Sequence, residues 1–478
     1  MRGRSEMACP FVGWKIINVR ESIVSGQAVE EKEDQRIFTL REEKPVKAVV
    51  KMSVPLIAGM MIMVLYNLVD TFFIGLTGDD YQLAAVNLAY PVMMIMIAIS
   101  NMVGSGGSSL IARCLGADDN EKAEHTLTAS WELTLANSAI VAAIGLIFLH
   151  QLVKGLGAQE NTVAFTEQYV RIILIGSLAT MGNYTFGQLL RSEGSVNYSM
   201  VGMVVGTIVN IILDPIFIFT LNMQIRGAAI ATVIGNAVGF LASLLFYFRR
   251  KTLLMPKLCH IHPKADIIKE IFWVGIPASL ETALTSAAYV VNNNLAVQYG
   301  ELTVAAMGIA QKVMSFGSYI YQGFASGTQP IMGYNYGAKN YSRMMDILKA
   351  GVLSVTGTEI VLMTVYGIFA PLFIGIFSQT QAVIEIGAVV LRTLMWILPF
   401  VGSVSMCRMS FQAMGKPQYA FGITLVRQLI LYIPLLLILD RQFAFYGMIW
   451  AQPITEFIMM TVSVTLLIKI IRLESRKA

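Results

Sequence analysis

Two aspartates stand inside long apolar runs: Asp70 in VPLIAGMMIMVLYNLVDTFFIGL and Asp214 in MVGMVVGTIVNIILDPIFIF. A carboxylate in a bilayer core costs about 2.5–3.5 kcal/mol even on lenient insertion scales. Two such acids need water, a partner or a task, and the task that suits them is reversible binding of a cation or a proton. Asn210 lies four residues before Asp214, on the same face of a helix, and Thr232 adds a hydroxyl from the next apolar run. Oxygen donors of these types suit a hard cation such as Na⁺ and equally suit proton exchange. Two carboxylates close together in low dielectric would share a proton. The competing reading is structural, because buried Asn and Thr often only join membrane helices by hydrogen bonds.

The setting of these residues is a membrane. Apolar residues make up 55% of the chain and charged residues 14%, with mean hydropathy +0.63; a soluble domain is about 25% charged. The net charge of +5 gives no nucleic-acid signal, since the basic residues sit in short segments between apolar runs. Cys9, Cys114, Cys259 and Cys407 are scattered, which implies neither a disulfide framework nor a zinc site. His125, His150, His260 and His262 lie in loops or near span ends. Gly104-Ser105-Gly106-Gly107 has no P-loop lysine, so it reads as close helix packing rather than phosphate binding. An enzyme, an ATP-driven pump and a bound cofactor are therefore not expected.

A membrane span needs about 20 mostly apolar residues. Twelve are predicted, at 53–76, 84–109, 125–149, 164–188, 196–220, 226–248, 268–298, 304–333, 344–373, 383–411, 418–439 and 445–470. Lys and Arg gather in the N-terminal segment, around the even-numbered gaps and at the C-terminus, where Arg408 is also counted. The odd-numbered gaps hold Lys154, Arg226 and Arg441, and Arg171, Lys312, Arg392 and Arg427 fall within spans. The bias predicts that both termini are cytoplasmic. With that orientation Asp70, Asp214 and Thr232 each stand about six residues from an outer span end, roughly 9 Å below the outer edge.

The chain also repeats itself. Gly116-Ala117 matches Gly337-Ala338, Gly194 matches Gly415, Tyr198 matches Tyr419 and Gly106 matches Gly327, all 221 residues apart. Pro55 and Gly78 reach Pro277 and Gly300 at 222. Six spans per repeat is even, so the halves share one orientation, which implies a pseudo-twofold axis along the membrane normal. The predicted fold is an all-α membrane protein: twelve transmembrane helices in two six-helix bundles related by that axis. Residues 1–45 read as a cytoplasmic tail, 46–248 and 268–470 as the two lobes, 249–267 as a cytoplasmic linker and 471–478 as a second tail. Asn210 and Asp214 map onto Leu431 and Leu435, so a site built on these acids belongs to the N-terminal lobe alone.

NLVDTFFIG (67–75), LLRSEGSVNYSM (189–200), NIILDPIFIF (210–219) and GAAIAT (227–232) resemble the multidrug and toxic compound extrusion (MATE) family in its bacterial branch, over about residues 45 to 470. The resemblance implies two six-helix bundles and export of organic cations driven by inward Na⁺ or H⁺. It implies a cation site at Asp70, Asn210, Asp214 and Thr232, and a bending role for Pro55 in span 1. Some branches carry a glutamate in span 7 and an aspartate in span 10. Here Glu281 stands four residues after Pro277, and span 10 has Glu385 and Arg392 instead, which tells against a second cation site in the C-terminal lobe. Glu132, Glu281, Glu359 and Glu456 fall within spans. Glu281, Tyr66, Asn67, Tyr184 and Phe217 are candidates for the substrate cavity, each with packing as the alternative. The expected protein is a monomeric multi-pass antiporter of a bacterial inner membrane, taking small organic cations. The alternative is a flippase for a lipid-linked precursor in the same broad superfamily. Such flippases line their cavity with several basic residues, and few basic residues fall within the spans.

Overall fold

A computed structural model describes residues 35–75, 80–249, 251–256 and 264–477. Among them there is no strand, as a chain crossing lipid requires when it does not close into a barrel, because helices satisfy every backbone group internally. Spans 1 to 3 are the helices Pro45–Gly75, Asp80–Gly116 and Asn120–Ile147. Span 4 joins Glu160–Ile175 to Ser177–Ser192 across a break at Gly176. Span 5 is Val196–Pro215 continued by a π-helical turn, Ile216–Thr220, and span 6 is Gln224–Phe248. Spans 7, 8 and 9 are Ala265–Val297, Glu301–Gly337 and Tyr341–Gly375. Span 10 joins Gln381–Leu394 to Leu398–Ala413 through a 3₁₀ turn at Met395–Ile397. Span 11 begins with Pro417–Leu425 and a second π-helical stretch, Val426–Tyr432.

One helix, Ile433–Lys477, carries the end of span 11 and all of span 12. A continuous helix of its 45 residues would measure about 68 Å, twice the bilayer core. It is broken at Ala444, whose φ of 51° and ψ of −138° are not helical. Eight helical stretches among the described residues are long and apolar enough to cross a bilayer on composition alone. One of them, Pro417–Lys477, holds two spans; span 4, broken into two 16-residue helices, and spans 7 and 8 fall outside the set.

The repeat is written into the backbone. Span 2 and span 8 are both 37 residues long and begin and end 221 residues apart. Each ends in a left-handed residue, Asp118 (φ 57°) and Lys339 (φ 56°). The next residue caps the following helix in both halves: Asp119 accepts from the Lys122 amide at 3.0 Å and Asn340 from the Arg343 amide at 3.1 Å. Gly194 (φ 75°) and Gly415 (φ 68°) close spans 4 and 10 in the same way, a conformation that glycine adopts without a Cβ clash. Gly78, the expected counterpart of Gly300, lies outside the described residues.

Spans 1 and 8, and spans 2 and 7, join the halves. A Cβ on Gly116 would overlap the Tyr334 carbonyl, and one on Gly337 would overlap the Arg113 carbonyl. These two contacts are related by the 221-residue shift. Glu270 of span 7 pairs with Arg113 at 2.9 Å and with Lys122 at 3.1 Å. All of this happens at one end. There a single apolar core takes residues from both halves, including Leu40, Leu110, Tyr247, Ile331, Phe411 and Ile471. At the other end each half has its own core, one around Met96, Tyr169 and Ile225 and one around Met307, Tyr366 and Met448. The halves are thus sealed at the end that carries both described chain termini. Asn335 and Arg343 donate to the Leu40 carbonyl there, at 2.9 and 3.3 Å, and Glu474 accepts from Lys416 at 2.7 Å.

Candidate cation site

Spans 5 and 6 are held at backbone contact by glycines. A Cβ on Gly206 would stand 2.6 Å from the Gly235 carbonyl, and one on Gly235 would stand 2.7 Å from the Gly206 carbonyl. Gly202 and Gly239 continue the contact one turn along, so each helix presents a GxxxG face. This approach brings the span 5 and span 6 polar groups together. Asn210, Asp214 and Thr232 are 3%, 0% and 3% exposed. The Asn210 amide nitrogen donates to Thr232 Oγ1 at 3.5 Å. Asn236 Nδ2 donates to the Thr232 carbonyl at 2.9 Å, and Asn183 Nδ2 donates to Asn236 Oδ1 at 3.1 Å. Asn210 Oδ1 is buried without a hydrogen-bond partner among the described residues. The oxygens that Asp214, Asn210 and Thr232 carry on these two helices are a carboxylate, an amide oxygen and a hydroxyl, types that fit a hard cation.

Span 5 is irregular right beside the acid. Pro215 has no amide hydrogen and interrupts the helical ladder. The following turn is π-helical, with the Leu221 amide bonded five residues back to the Ile216 carbonyl at 2.9 Å. Such turns concentrate at functional sites. Beyond the turn Gln82 of span 2 caps span 6, its Oε1 accepting from the Ile225 amide at 3.1 Å. Asp70 belongs to span 1, but its side chain, with those of Tyr66 and Asn67, lies outside the described residues. One helical turn past it, the Phe73 ring meets the Phe219 ring edge-on at 6.2 Å. The turn that follows Asp70 therefore abuts the π-helical turn that follows Asp214. Phe217 is half-buried in that turn, Tyr184 is 41% exposed on span 4, and Pro55 lies within the helix of span 1.

The C-terminal half treats its interior charges differently. Glu281, 2% exposed, is paired with Arg408 and accepts from Gln412 Nε2 at 3.2 and 3.3 Å. Arg408 thus points into the helix bundle, not into the cytoplasmic gap with which sequence position grouped it. Glu456, 1% exposed, is paired with Arg427, whose Nε donates to it at 2.7 Å. Neither pairing is legible locally, since 127 and 29 residues separate the partners. Asn236 was findable: it stands four residues after Thr232, on the same helix face.

These halves match known proteins as a pair. The MatE family profile matches residues 55–216 and again 277–438. The chain is 29% identical over 423 residues to the multidrug export protein MepA of Staphylococcus aureus (strain MRSA252), covering 88% of this chain and 93% of that protein. It is 30% identical to MepA of Staphylococcus haemolyticus (strain JCSC1435) over the same shares. Among solved structures it resembles a multidrug resistance MATE family transporter of the MOP superfamily in an outward-facing conformation (TM-score 0.87, 29% identity, 92% of this chain and 98% of that one). It also resembles a MATE in the straight conformation (TM-score 0.88, 29% identity, 92% and 99%). With both halves matched in register and the fold shared along nearly the whole chain, this protein belongs to the MATE family.

Proposed function

We propose that this chain is a secondary multidrug efflux antiporter that expels small organic, mostly cationic substrates in exchange for Na⁺ or H⁺ bound at Asp70, Asn210, Asp214 and Thr232. One observation carries the reading: a fully buried carboxylate, Asp214, shares a helix face with an amide that reaches across to Thr232. Span 5 is wound irregularly at that point, which suits a site that must change shape when its ion leaves. The multidrug export relatives supply the cargo class.

The basic end is the cytoplasmic side of a bacterial plasma membrane, with both termini inside. The sealed end is then the inner gate, and the described state opens outward. The lobes 46–248 and 268–470 are the two bodies that rock, joined by the linker 249–267, and one chain suffices as a monomer. Pro55 is the bending point of span 1. Binding of the ion from outside favours one packing of the N-terminal lobe, and the cargo favours the other; exchange follows only from that differential affinity. The flippase reading loses ground at Arg408 and Arg427. Both are engaged by glutamates, so neither is offered to an anionic lipid headgroup.

The test is ethidium efflux from proteoliposomes driven by an imposed Na⁺ or H⁺ gradient. Asp70→Asn and Asp214→Asn are each expected to insert normally and to lose gradient-driven efflux. Unchanged efflux in either variant would sink the site assignment, and the gradient that drives the wild-type protein identifies the ion.

A further inference from the structure

A third glutamate of the C-terminal half has no arginine. Glu359 of span 9 is 0% exposed, and both its carboxyl oxygens are buried without a hydrogen-bond partner among the described residues. Its surroundings are apolar or already occupied. Gly317 of span 8 leaves the room it fills: a Cβ there would stand 3.4 Å from Glu359 Oε2, 2.7 Å from Leu398 of span 10 and 3.1 Å from Leu362. The titratable group nearby is Tyr366 of span 9, whose hydroxyl donates to the Val313 carbonyl of span 8 at 2.8 Å. Arg392 of span 10 is directed elsewhere, donating to the Gly367 carbonyl at 3.2 Å. Thr356, one turn before Glu359, lies 3.4 Å from both the Pro399 carbonyl and Ser403 Oγ of span 10.

An ionised carboxylate so placed would carry several kcal/mol of uncompensated desolvation, and a group in that position keeps its proton instead. Its neighbour is the one interruption of span 10: Leu398 follows directly on the 3₁₀ turn Met395–Ile397. Span 9 is itself kinked at Phe369, with φ −102° and ψ 16°. A short 3₁₀ stretch inside a long helix marks a hinge. We propose that Glu359 is a proton-binding site of the C-terminal lobe, protonated while spans 8, 9 and 10 are packed as described and ionised only when the span 10 hinge moves water or a partner to it. The proton is taken from and returned to water, and no other group changes. This site is separate from the N-terminal cation site and does not depend on which ion is bound there.

Trp396 stands in the 3₁₀ turn and is 43% exposed, so it reports on the hinge. The full chain in nanodiscs would be titrated from about pH 6 to about pH 10. Trp396 emission is isolated as the difference between the wild-type protein and Trp396→Phe. A single-proton step is expected in the wild-type protein and in Asp214→Asn, and Glu359→Gln is expected to reduce its amplitude about tenfold. Glu359→Gln should also remove the infrared carbonyl band of one protonated carboxyl at neutral pH. A step that persists in Glu359→Gln, the absence of any step in the wild-type protein, or an infrared spectrum unchanged by the substitution each overturns the proposal. None of these readouts requires transport, so the antiporter reading fails or stands separately, on the efflux of Asp214→Asn.

Discussion

Where spans 5 and 6 touch through Gly206 and Gly235, spans 11 and 12 meet through Arg427 and Glu456. The two pairs stand at the same place in the repeat, 221 residues apart, and they do opposite things. The glycines let two backbones come into contact, which sets Asn210 within reach of Thr232. The ion pair fills the same space with side chains, and the positions of Asn210 and Thr232 are there taken by Leu431 and Pro453. One half has therefore turned close backbone approach into a cluster of oxygen donors. The other has turned the same helix crossing into a neutralised charge pair. The difference shows why the polar cluster of spans 5 and 6 has no counterpart between spans 11 and 12, and it can be attacked from either side.

The largest expected effect on transport is on the N-terminal side. Asp214→Asn keeps the shape of the side chain and removes its charge. Losing a charged group's bonds to the ion is worth about 3 kcal/mol, roughly a hundredfold in ion affinity. Ion concentration dependence of ethidium efflux should show this, with thermal stability unchanged or raised because a buried charge is gone. The second effect is on stability. Arg427→Met strands Glu456, 1% exposed, and breaking a buried pair from one side destabilises by about 3–5 kcal/mol. The double variant Arg427→Met with Glu456→Met should recover most of that loss in thermal unfolding and keep efflux within about threefold. If the double variant instead abolishes transport while remaining folded, the C-terminal pair is part of the transport path and the contrast drawn above fails.

A smaller effect tests how the site is built. Gly235→Ala places a methyl group 2.7 Å from the Gly206 carbonyl and 2.8 Å from Asn210 Cβ, so spans 5 and 6 must part by a few tenths of an ångström. That lengthens a bond already at 3.5 Å. Ion affinity is expected to fall about tenfold, or about 1.4 kcal/mol, while Gly422→Ala, with open space around it, should change nothing.

Much of this was legible in the chain. The repeat, the twelve spans and the nearness of Asn210 to Thr232 follow from hydropathy, an offset of 221 and helical periodicity. What escaped is what depends on packing between distant segments. Arg408 lies near the end of an apolar run, and only the fold shows that its guanidinium turns inward to Glu281. The glycines of spans 5 and 6 are ordinary membrane-helix glycines until two GxxxG faces are seen to meet. The π-helical turn after Asp214 had a sequence signal in Pro215, but proline gives a bend and not its hydrogen-bond pattern. Asp118 and Lys339 adopt left-handed backbone without being glycine, a choice made by the helix-closing bonds around them.

The most local effect concerns the turn between spans 4 and 5, where the halves differ by one ionisable group. Glu193, 0% exposed, accepts from the Tyr247 hydroxyl at 2.8 Å and from the Leu253 and Leu254 amides at 3.0 and 3.2 Å. It thereby ties the inter-lobe linker to the N-terminal lobe, and the matching residue of the other half is Met414. Burial raises the Glu193 carboxyl to about 7, against the lowering pull of Tyr247, the two amides and Arg36. A carboxyl raised in the folded state binds its proton more tightly there than in the unfolded chain. The stability this contributes is fully present below the ordinary carboxylate range and is lost as pH rises through about 7. Hydrogen exchange at the Leu253 and Leu254 amides, corrected for intrinsic rate, should therefore speed up between about pH 5.5 and about pH 8. Glu193→Gln should flatten that dependence, with a change of about 1–2 kcal/mol in local opening. The closing turn around Met414 should show no such dependence, and a matching pH response there would mean that the sealed end as a whole, and not the Glu193 tether, is what titrates.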